Sequence, residues 1–349
     1  MYCCVDGTYS NHFLVDFFQR EYMKIFKSKI SLLYMKILVS FFTDRFSILK
    51  DFWERAAENS SGGAFQGTDK YEKLKLGGFL MLLDWNNKKI LKKIKIETPR
   101  GFDLLNDKLY ITKSNQETFV MSKDLKRRLY KFSNPYFNNL HWVSCYGNKL
   151  LFACSGLDMI LETNNKGKTT YKWFATEHGF NKDPKGRIRR VEIKKDYRTY
   201  KFPTLRQTTH LNSVIYAKKT KYFKKTIYAS LFHQGKVIAI NKFNGKYKTV
   251  LNGLKHPHSI RKVKEGYVIS DTENGRIVIV DENFLIKHYY ILKGSNWIQD
   301  CSLMSNGNFI VCDSNNNRII ELDSQSGKIK DSYKYNSEWK IFSAMEYPT

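Results

Sequence analysis

The chain has 349 residues, of which 42% are hydrophobic and 15% are aromatic. This composition excludes an intrinsically disordered protein, and the length allows one large all-β domain or two domains of ordinary size. The formal net charge of +26 favours acidic partners such as nucleic acid, anionic lipid headgroups, or sulfated and phosphorylated ligands.

The N-terminal region, residues 1–57, is predicted to be a helical segment. Apolar residues recur at spacings of three and four between Leu14 and Trp53, and Thr43-Asp44 is a candidate cap for a second helix. The Ser- and Gly-rich residues 58–69 then read as a linker.

No targeting or membrane segment is expected in this region. Asp6 and His12 interrupt the place of a signal peptide, and the most apolar run, residues 29–42, is too short to cross a membrane. The compartment is left open: the cytoplasm is favoured, and a start at Met23 or Met35 would permit secretion.

From about residue 70 the sequence consists of short β-type runs that repeat along the chain. Each unit has four runs in about 41 residues, which is the size of a propeller blade. The units begin at Thr98, Asn139, His210, His256, Trp297 and Glu338, with offsets of 41, 71, 46, 41 and 41 residues. This pattern predicts an all-β, six-bladed β-propeller over residues 70–349.

The unit that begins at Glu338 is too short for a whole blade. Residues 77–84 and 88–96 match the third and fourth runs of a unit, and residues 70–75 are a weaker match to the second. The C-terminal run would then be the innermost strand of a blade whose other strands lie near the N-terminus. Such closure leaves no open sheet edge.

The interval of 71 residues contains a basic insert, residues 176–208, between blades two and three. A connection of this length is usually functional or disordered. Its basic residues include Lys182, Lys185, Arg187, Arg189, Arg190, Lys194, Lys195 and Arg198.

The cysteines indicate neither a disulfide framework nor a zinc site. Cys301 and Cys312 would face each other across a hairpin that turns at Asn306-Gly307, but buried free thiols are the expected state. No Cys/His spacing indicates structural zinc.

The third residue of every unit is polar although it begins an otherwise apolar run. We call these six residues the axial set: Arg100, His141, Asn212, His258, Gln299 and Lys340. Inner strands of a propeller line its central channel, so this set is predicted to surround one mouth without a carboxylate. A solvated channel without chemistry would show the same polarity.

Three further histidines are predicted at the same mouth. His210 and His256 precede axial residues by two positions, and alternation places them on the same side, nearer the rim. His233 lies in a loop that opens on that face. Imidazoles suit a metal, but Arg100 and Lys340 would repel a cation. We therefore expect an anionic small molecule, and neither a metal nor another cofactor.

The inner segments PRGF, HPHSI and SDTENGRIVIVD resemble NHL-type and gluconolactonase-like six-bladed propellers across about residues 70–349. Gluconolactonase-like enzymes hold a divalent metal with acidic and amide side chains. The axial set contains no acid, which puts that activity in doubt.

A narrower similarity is to bacterial arylsulfotransferases. His210 and Asn212 match their His-x-Asn-Ser signature, and His233 and Gln234 match an Arg-His-Gln loop, in which Phe232 replaces the arginine. In that family a histidine transiently takes the sulfuryl group. His141 and His258 fall where that family has channel histidines.

On this resemblance the predicted catalytic residues are His258 as nucleophile, His210 as general acid and base, and His141. The predicted substrate-binding residues are Asn212, Arg100, Gln299, Lys340, His233 and His256. Cationic and amide groups among them would stabilise developing oxyanion charge.

Two other functions stay open at this point. A propeller that binds RNA or another polyanion would need Arg189 and Arg190, with Tyr197, Tyr200 and Phe202 for stacking. A scaffold for protein partners would need none of these and would use the N-terminal helices. The scattered lysines are also compatible with a merely solvated surface.

Overall fold

The structure is a computed structural model that describes residues 35–58, 65–66, 74–114 and 116–348. Its strands form six four-stranded antiparallel sheets, and the first strands of neighbouring sheets contact one another in a closed circle. The predicted six-bladed β-propeller is therefore confirmed.

The N-terminal part of the described chain differs from the helical prediction. In chain order it contains β1 (Lys36–Thr43), α1 (Phe46–Glu58), β2 (Phe65–Gln66), β3 (Phe79–Asp84) and β4 (Lys89–Lys95). The prediction of a helical segment over residues 1–57 is wrong for β1. It agrees with α1, and residues 1–34 lie outside the described part of the chain.

Blades one to three contain twelve strands in sequence order. Their bounds are β5 (Pro99–Leu105), β6 (Lys108–Lys113), β7 (Thr118–Ser122), β8 (Arg128–Phe132), β9 (Leu140–Tyr146), β10 (Lys149–Cys154), β11 (Met159–Asn164), β12 (Thr169–Phe174), and then, after the insert, β14 (Leu211–Ala217), β15 (Thr226–Leu231), β16 (Lys236–Asn241) and β17 (Tyr247–Leu251). The insert contains β13 (Tyr200–Lys201) and the short 3₁₀ helices Ala175–Glu177 and Thr204–Arg206.

Blades four and five follow in the same order. Their bounds are β18 (Ile260–Val263), β19 (Gly266–Asp271), β20 (Arg276–Asp281), β21 (Ile286–Ile291), β22 (Ile298–Leu303), β23 (Phe309–Asp313), β24 (Arg318–Leu322) and β25 (Ile329–Lys334).

Blade six is closed by both ends of the described chain. Its strand order is β26 (Lys340–Glu346), β1, β3 and β4, so the C-terminal strand is innermost, as predicted. The second strand of this blade is β1, where the sequence interpretation had residues 70–75, of which 70–73 lie outside the described part of the chain. Seven of the eight β1 residues are buried because neighbouring blades cover both faces of the strand. A continuous apolar run of this kind carries no alternation that separates strand from helix.

The core consists of apolar layers between adjacent blades. Six separate clusters of buried hydrophobic side chains occupy the six blade interfaces. A seventh cluster packs Leu49 of α1 against Phe42 and Phe342 of blade six. The helix is thereby fixed beside the innermost strand, near Arg100, whose guanidinium lies 4.6 Å from the Phe42 ring centre.

The region predicted as a linker contains one described strand. Residues 65 and 66 pair with residues 201 and 200 of the basic insert in the β2–β13 ladder. Residues 59–64 and 67–69 lie outside the described part of the chain.

Cys301 and Cys312 are free thiols, as predicted. Cys301 pairs with Val311 in the ladder while Cys312 pairs with Asp300, and the two side chains enter different interblade cores. Burial raises the pKa of both thiols well above the usual value, which makes them poor nucleophiles.

Candidate functional site

β-Bulges and related irregularities in the inner strands present four of the six axial residues. His141, Asn212 and Gln299 are each skipped in the pairing of their strand with the next one, and Arg100 lies in a similar irregularity. A bulge leaves one residue outside the ladder and re-aims its side chain. In these four repeats the polar third residue therefore lies outside the regular pairing of its strand, and its side chain does not follow the alternation of the neighbouring apolar residues.

The turn that enters the inner strand has a shared backbone geometry in blades one to four. Thr98, Asn139, His210 and His256 all have positive φ, between 45° and 53°. Non-glycine residues occupy this left-handed region infrequently, and Asn and His are among those that do so most readily. The turn fixes where the side chains of His210 and His256 begin.

The histidine cluster comprises His141, His210, His233, His256 and His258, and four of them surround Phe232. The Phe232 ring stacks on His256 at 4.1 Å between centres and makes edge contacts with the other three at 4.9–5.4 Å. His141 meets His210 edge-on at 4.7 Å. Phe232 gives this cluster an apolar centre.

The remaining axial residues adjoin the cluster to different degrees. Arg100 Nη1 lies 2.6 and 2.9 Å from the two ring nitrogens of His141. Asn212 Nδ2 donates to the Pro257 carbonyl at 3.2 Å. Gln299 accepts a hydrogen bond from Trp297, whose ring lies 5.4 Å from His258.

Lys340 contacts no histidine directly. Its ammonium lies 3.3 Å from Asn315 Oδ1 and 4.6 Å above the Phe46 ring of α1. Burial lowers the pKa of Lys340 to about 8. The group is therefore mostly protonated at neutral pH, and its charge helps to lower the pKa of His258.

Hydrogen bonds fix which ring nitrogen of His258 carries the proton. Its Nδ1 lies 2.9 Å from Thr272 Oγ1 and 3.2 Å from the His256 carbonyl oxygen. The Thr272 hydroxyl donates its own proton to the Ile298 carbonyl, so it can only accept from His258. Nδ1 is therefore the donor and Nε2 carries the lone pair.

The same argument applies to His210. Its Nδ1 lies 2.5 Å from Gln207 Oε1, and Gln207 is oriented by donating from Nε2 to the Phe202 carbonyl at 2.8 Å. The amide oxygen can only accept, so Nδ1 of His210 is protonated and its Nε2 is not. Two unprotonated Nε2 atoms thus belong to the predicted nucleophile and the predicted base.

The other three histidines have their protons fixed as well. His256 Nδ1 donates to the Glu273 carboxylate, and His233 Nε2 donates to the Thr204 carbonyl at 3.0 Å. His141 Nδ1 donates to the Asn139 carbonyl at 3.0 Å, which leaves its Nε2 to accept from Arg100. His141 therefore orients the guanidinium and has no spare lone pair.

Burial keeps the central imidazoles neutral. It lowers the pKa of His258 to about 3 and that of His141 and His210 well below the usual value. Arg100 adds to the effect on His141, and neighbouring imidazoles add to the effect on His210. Neutral imidazole is the nucleophilic and basic form.

Asp158 anchors the segment that carries His210, a role that was not predicted for this residue. This fully buried carboxylate accepts hydrogen bonds from the backbone N–H groups of Thr208, Thr209 and His210 at 2.7–2.9 Å. It also accepts from the Thr209 hydroxyl at 2.8 Å. Only an Asp in the loop after β10, in the Gly-Leu-Asp stretch, hints at this role in the sequence.

Arg189 is the buried partner of Asp158 and not a surface group. Its guanidinium contacts the Asp158 carboxylate and the Gly156 carbonyl, and it is 7% exposed. Its planar face lies 4.5 Å from the Phe202 ring centre, and Tyr197 is buried in the core of blades one and two. The prediction that Arg189 and these aromatic residues form an RNA surface is therefore wrong for Arg189 and Tyr197. Arg190 is exposed.

A pocket of about 450 Å³ lies beside the histidine cluster; we call it the rim pocket. Three parts of the chain form its wall: the insert, the loop between β15 and β16, and the entry turn of blade four. The lining residues are Lys182, Asp183, Pro184, Thr204, Leu205, Thr208, Phe232, His233, Gln234 and His256.

Arg261 and Asp300 form an ion pair on the inner strands that joins several blades. This pair was not predicted from the sequence. We call it the axial pair. Arg261 binds the Asp300 carboxylate at 2.7 and 3.0 Å through two nitrogens, donates to Ser343 Oγ at 2.8 Å, and lies 4.6 Å from the Trp142 ring centre. These contacts link blades two, four, five and six.

Neither a metal centre nor a membrane helix is found in the described ranges. No group of three or more His, Cys, Asp and Glu side chains there has the geometry to hold a metal ion. None of the helices described is long and apolar enough to cross a membrane.

Comparison with known proteins defines the fold class only. No protein-family model matches the chain, and neither does any curated protein. A protein of unknown function from Bacteroides caccae shares 14% identity with a TM-score of 0.56, over 90% of this chain and 100% of that one. A chain in a nidogen/laminin complex shares 10% identity with a TM-score of 0.58, over 90% and 98% of the two chains.

A third similar structure, from Bacteroides fragilis, is of a protein proposed to be a 6-phosphogluconolactonase. It shares 12% identity with a TM-score of 0.50, over 90% of this chain and 98% of that one. At such identities the likeness shows the shared propeller fold alone. The narrower similarities to NHL propellers and arylsulfotransferases stay predictions.

Proposed function

We propose that this propeller binds a small anionic ester at the histidine cluster and that His258 attacks it as a nucleophile. The observation that carries the proposal is the fixed state of His258. Its Nδ1–H is held by Thr272 and the His256 carbonyl, its Nε2 carries the lone pair, and its lowered pKa of about 3 keeps it neutral. An unprotonated, oriented imidazole is the form that covalent catalysis requires.

The charges near His258 favour an anion. Arg100 and Lys340 both lower the pKa of His258, so their positive charges act at this position. Two nearby acids are matched by cations: Asp158 by Arg189, and Glu273 by Lys255. Positive charge at this position attracts an anionic group and stabilises negative charge that develops on it.

A sulfuryl transfer serves as the worked case. The His258 Nε2 lone pair attacks sulfur of a sulfate ester, so an N–S bond forms as the ester S–O bond breaks and its electron pair leaves on the alkoxide or aryloxide. Lys340, protonated below its pKa of about 8, supplies the proton to that oxygen. Water or an acceptor alcohol then attacks sulfur, forming an O–S bond as the N–S bond breaks.

This scheme changes the role expected of His210. Its lowered pKa leaves it neutral at pH 7, so it begins the cycle without a proton to give. Its Nε2 lone pair instead takes the proton of the attacking water or alcohol in the second step. His141, whose Nε2 is occupied by Arg100, positions that guanidinium and does not react.

Intact-mass spectrometry with 4-nitrophenyl sulfate tests the proposal. We expect a sulfuryl-sized mass increase and release of 4-nitrophenolate, both lost in His258→Ala. His288→Ala is the matched control, because His288 lies exposed on the outer strand β21 and should leave both signals unchanged.

Absence of both signals in the unaltered protein would overturn the transfer chemistry. Calorimetric titration with inorganic sulfate then decides the rest of the proposal: undetectable binding at neutral pH would overturn the anion site as well.

A further inference from the structure

The rim pocket offers hydrogen-bond acceptors to a ligand, and two of them are imidazole nitrogens. His233 donates from Nε2 to Thr204, so its Nδ1 carries a lone pair. In its neutral form His256 donates from Nδ1 to Glu273 and keeps a lone pair on Nε2. Because both side chains line the pocket, each places an acceptor at its wall.

Two buried oxygen atoms in the same wall have no partner in the described structure. Gln234 is oriented by its Nε2, which donates to the Thr208 carbonyl at 2.7 Å, and its Oε1 accepts from no group. The Thr208 hydroxyl, in a residue that is 1% exposed, is likewise unpartnered. Buried acceptors without a donor are unfavourable, so a ligand that donates to them gains affinity.

The charge balance of the pocket selects neutral donors over a cation. Asp183 lines the pocket but is bound by both Arg187 and Arg206. Lys182 adds a positive charge to the same wall. Among the described residues an ammonium group would meet no uncompensated negative charge here, whereas a hydroxyl can donate to His233, His256 or Gln234.

Apolar surface accompanies these acceptors. Phe232, Leu205 and Pro184 line the pocket together with the imidazoles. A volume of about 450 Å³ accommodates a group the size of a six-membered ring. A polyhydroxylated ring has hydroxyls along its edge and C–H groups on its face, so it matches a wall that combines acceptors with apolar surface.

We infer that the rim pocket binds the neutral, hydroxyl-bearing portion of the ligand whose anionic group lies at the axial set. The inference rests on the proposed function for the position of the anionic end. The neutral portion of the ligand would then be a polar group, and not the aryl group that the arylsulfotransferase resemblance implies.

Calorimetric titration with two matched sulfate esters tests the inference. Glucose 6-sulfate and cyclohexylmethyl sulfate share a six-membered ring on a CH₂–O–SO₃⁻ group, and only the first has hydroxyls. We expect glucose 6-sulfate to bind at least about tenfold more tightly, which corresponds to one or two net hydrogen bonds.

Adjacent threonines supply the matched variants. Thr208→Val removes the unpartnered hydroxyl without a change in shape and should weaken glucose 6-sulfate about fivefold while leaving cyclohexylmethyl sulfate unchanged. Thr209→Val removes a hydroxyl bound to Asp158, outside the pocket lining, and should not discriminate between the probes. His256→Phe keeps an aromatic ring to stack on Phe232 but removes a second acceptor, so it should likewise weaken glucose 6-sulfate and leave cyclohexylmethyl sulfate unchanged.

Cyclohexylmethyl sulfate binding as tightly as glucose 6-sulfate would overturn the inference. So would binding of inorganic sulfate without any gain from either ester, and in both cases the anion site of the proposed function would survive. If none of the three anions binds, the proposed function fails together with the inference.

Discussion

The axial pair and the histidine cluster are both buried and polar, and both are built on the inner strands, yet their hydrogen-bonding states differ. The Asp300 carboxylate accepts from Arg261, Ser343 and the Ala344 backbone, and its partner is held in return. In the cluster, each of His210 and His258 uses one nitrogen for the protein and keeps a lone pair on the other. Buried groups whose hydrogen-bonding capacity is fully used by the protein hold the blades together. Buried groups that keep a free lone pair are available to a ligand.

Removal of residues 338–349 should break both regions at once. Strand β26 carries Lys340 of the axial set and also Ser343, which binds the axial pair. Its loss exposes the inner edge of β1 and the core of blade six. We expect loss of cooperative folding, measured by thermal circular dichroism; a truncated chain as stable as the full one would contradict ring closure.

Substitution of Asp300 by Ala should be the most damaging point change. It leaves the Arg261 charge buried without its partner, which typically costs roughly 3–5 kcal/mol in the free energy of unfolding. Denaturant titration measures the loss. The adjacent change Gln299→Ala is the control. It should cost below about 1 kcal/mol in the free energy of unfolding, because Gln299 belongs to the axial set and carries no charge.

Arg189 and Arg190 are adjacent in the insert, but Arg189 is buried and Arg190 is exposed, so they allow a direct comparison of the two environments. Arg189→Ala leaves the Asp158 carboxylate buried without its cation and should cost about 3 kcal/mol of stability. Arg190→Ala, at an exposed position, should stay within about 0.5 kcal/mol. Thermal unfolding of the two variants measures this difference.

Filter binding of a single-stranded oligonucleotide by Arg190→Ala tests the polyanion function separately. Strong, salt-dependent binding by the unaltered protein that this variant loses would favour nucleic acid as the partner.

The pH dependence of stability should report the neutral imidazoles. The folded-state pKa of His258 is about 3 against a usual 6.5, so its contribution is complete above pH 6.5 and is lost as the pH falls. At about 1.4 kcal/mol per pH unit, His258 alone should cost up to about 2 kcal/mol between pH 6.5 and 5. Denaturant titrations at both pH values check this, and His258→Asn should show a shallower dependence.

Much of the fold could be predicted because it depends on local pattern. The repeat of about 41 residues gave the blade number, and the short last unit required a strand from the other end of the chain. The error at β1 has a physical cause: a strand buried on both faces has no period of two, and its residues fit a helix equally well.

The identity of the axial residues was also visible in the sequence, because a polar residue in an apolar run is a strong signal. Their geometry was not. The β-bulges that release His141, Asn212 and Gln299 depend on the pairing of whole strands. The proton positions of the histidines depend on groups such as Thr272 and Gln207, which have no distinctive pattern of their own.

The sequence by itself determined the number of blades, the closure of the ring and the residues that begin each inner strand, because these follow from periodicity and turn chemistry. Only the tertiary structure decided which polar groups find hydrogen-bond or ion-pair partners within the protein. Arg261 meets Asp300 across 39 residues and Ser343 across 82, and Arg189 meets Asp158 across 31. Such pairs form only when blades pack around an axis, so no local pattern distinguishes a buried arginine from an exposed one.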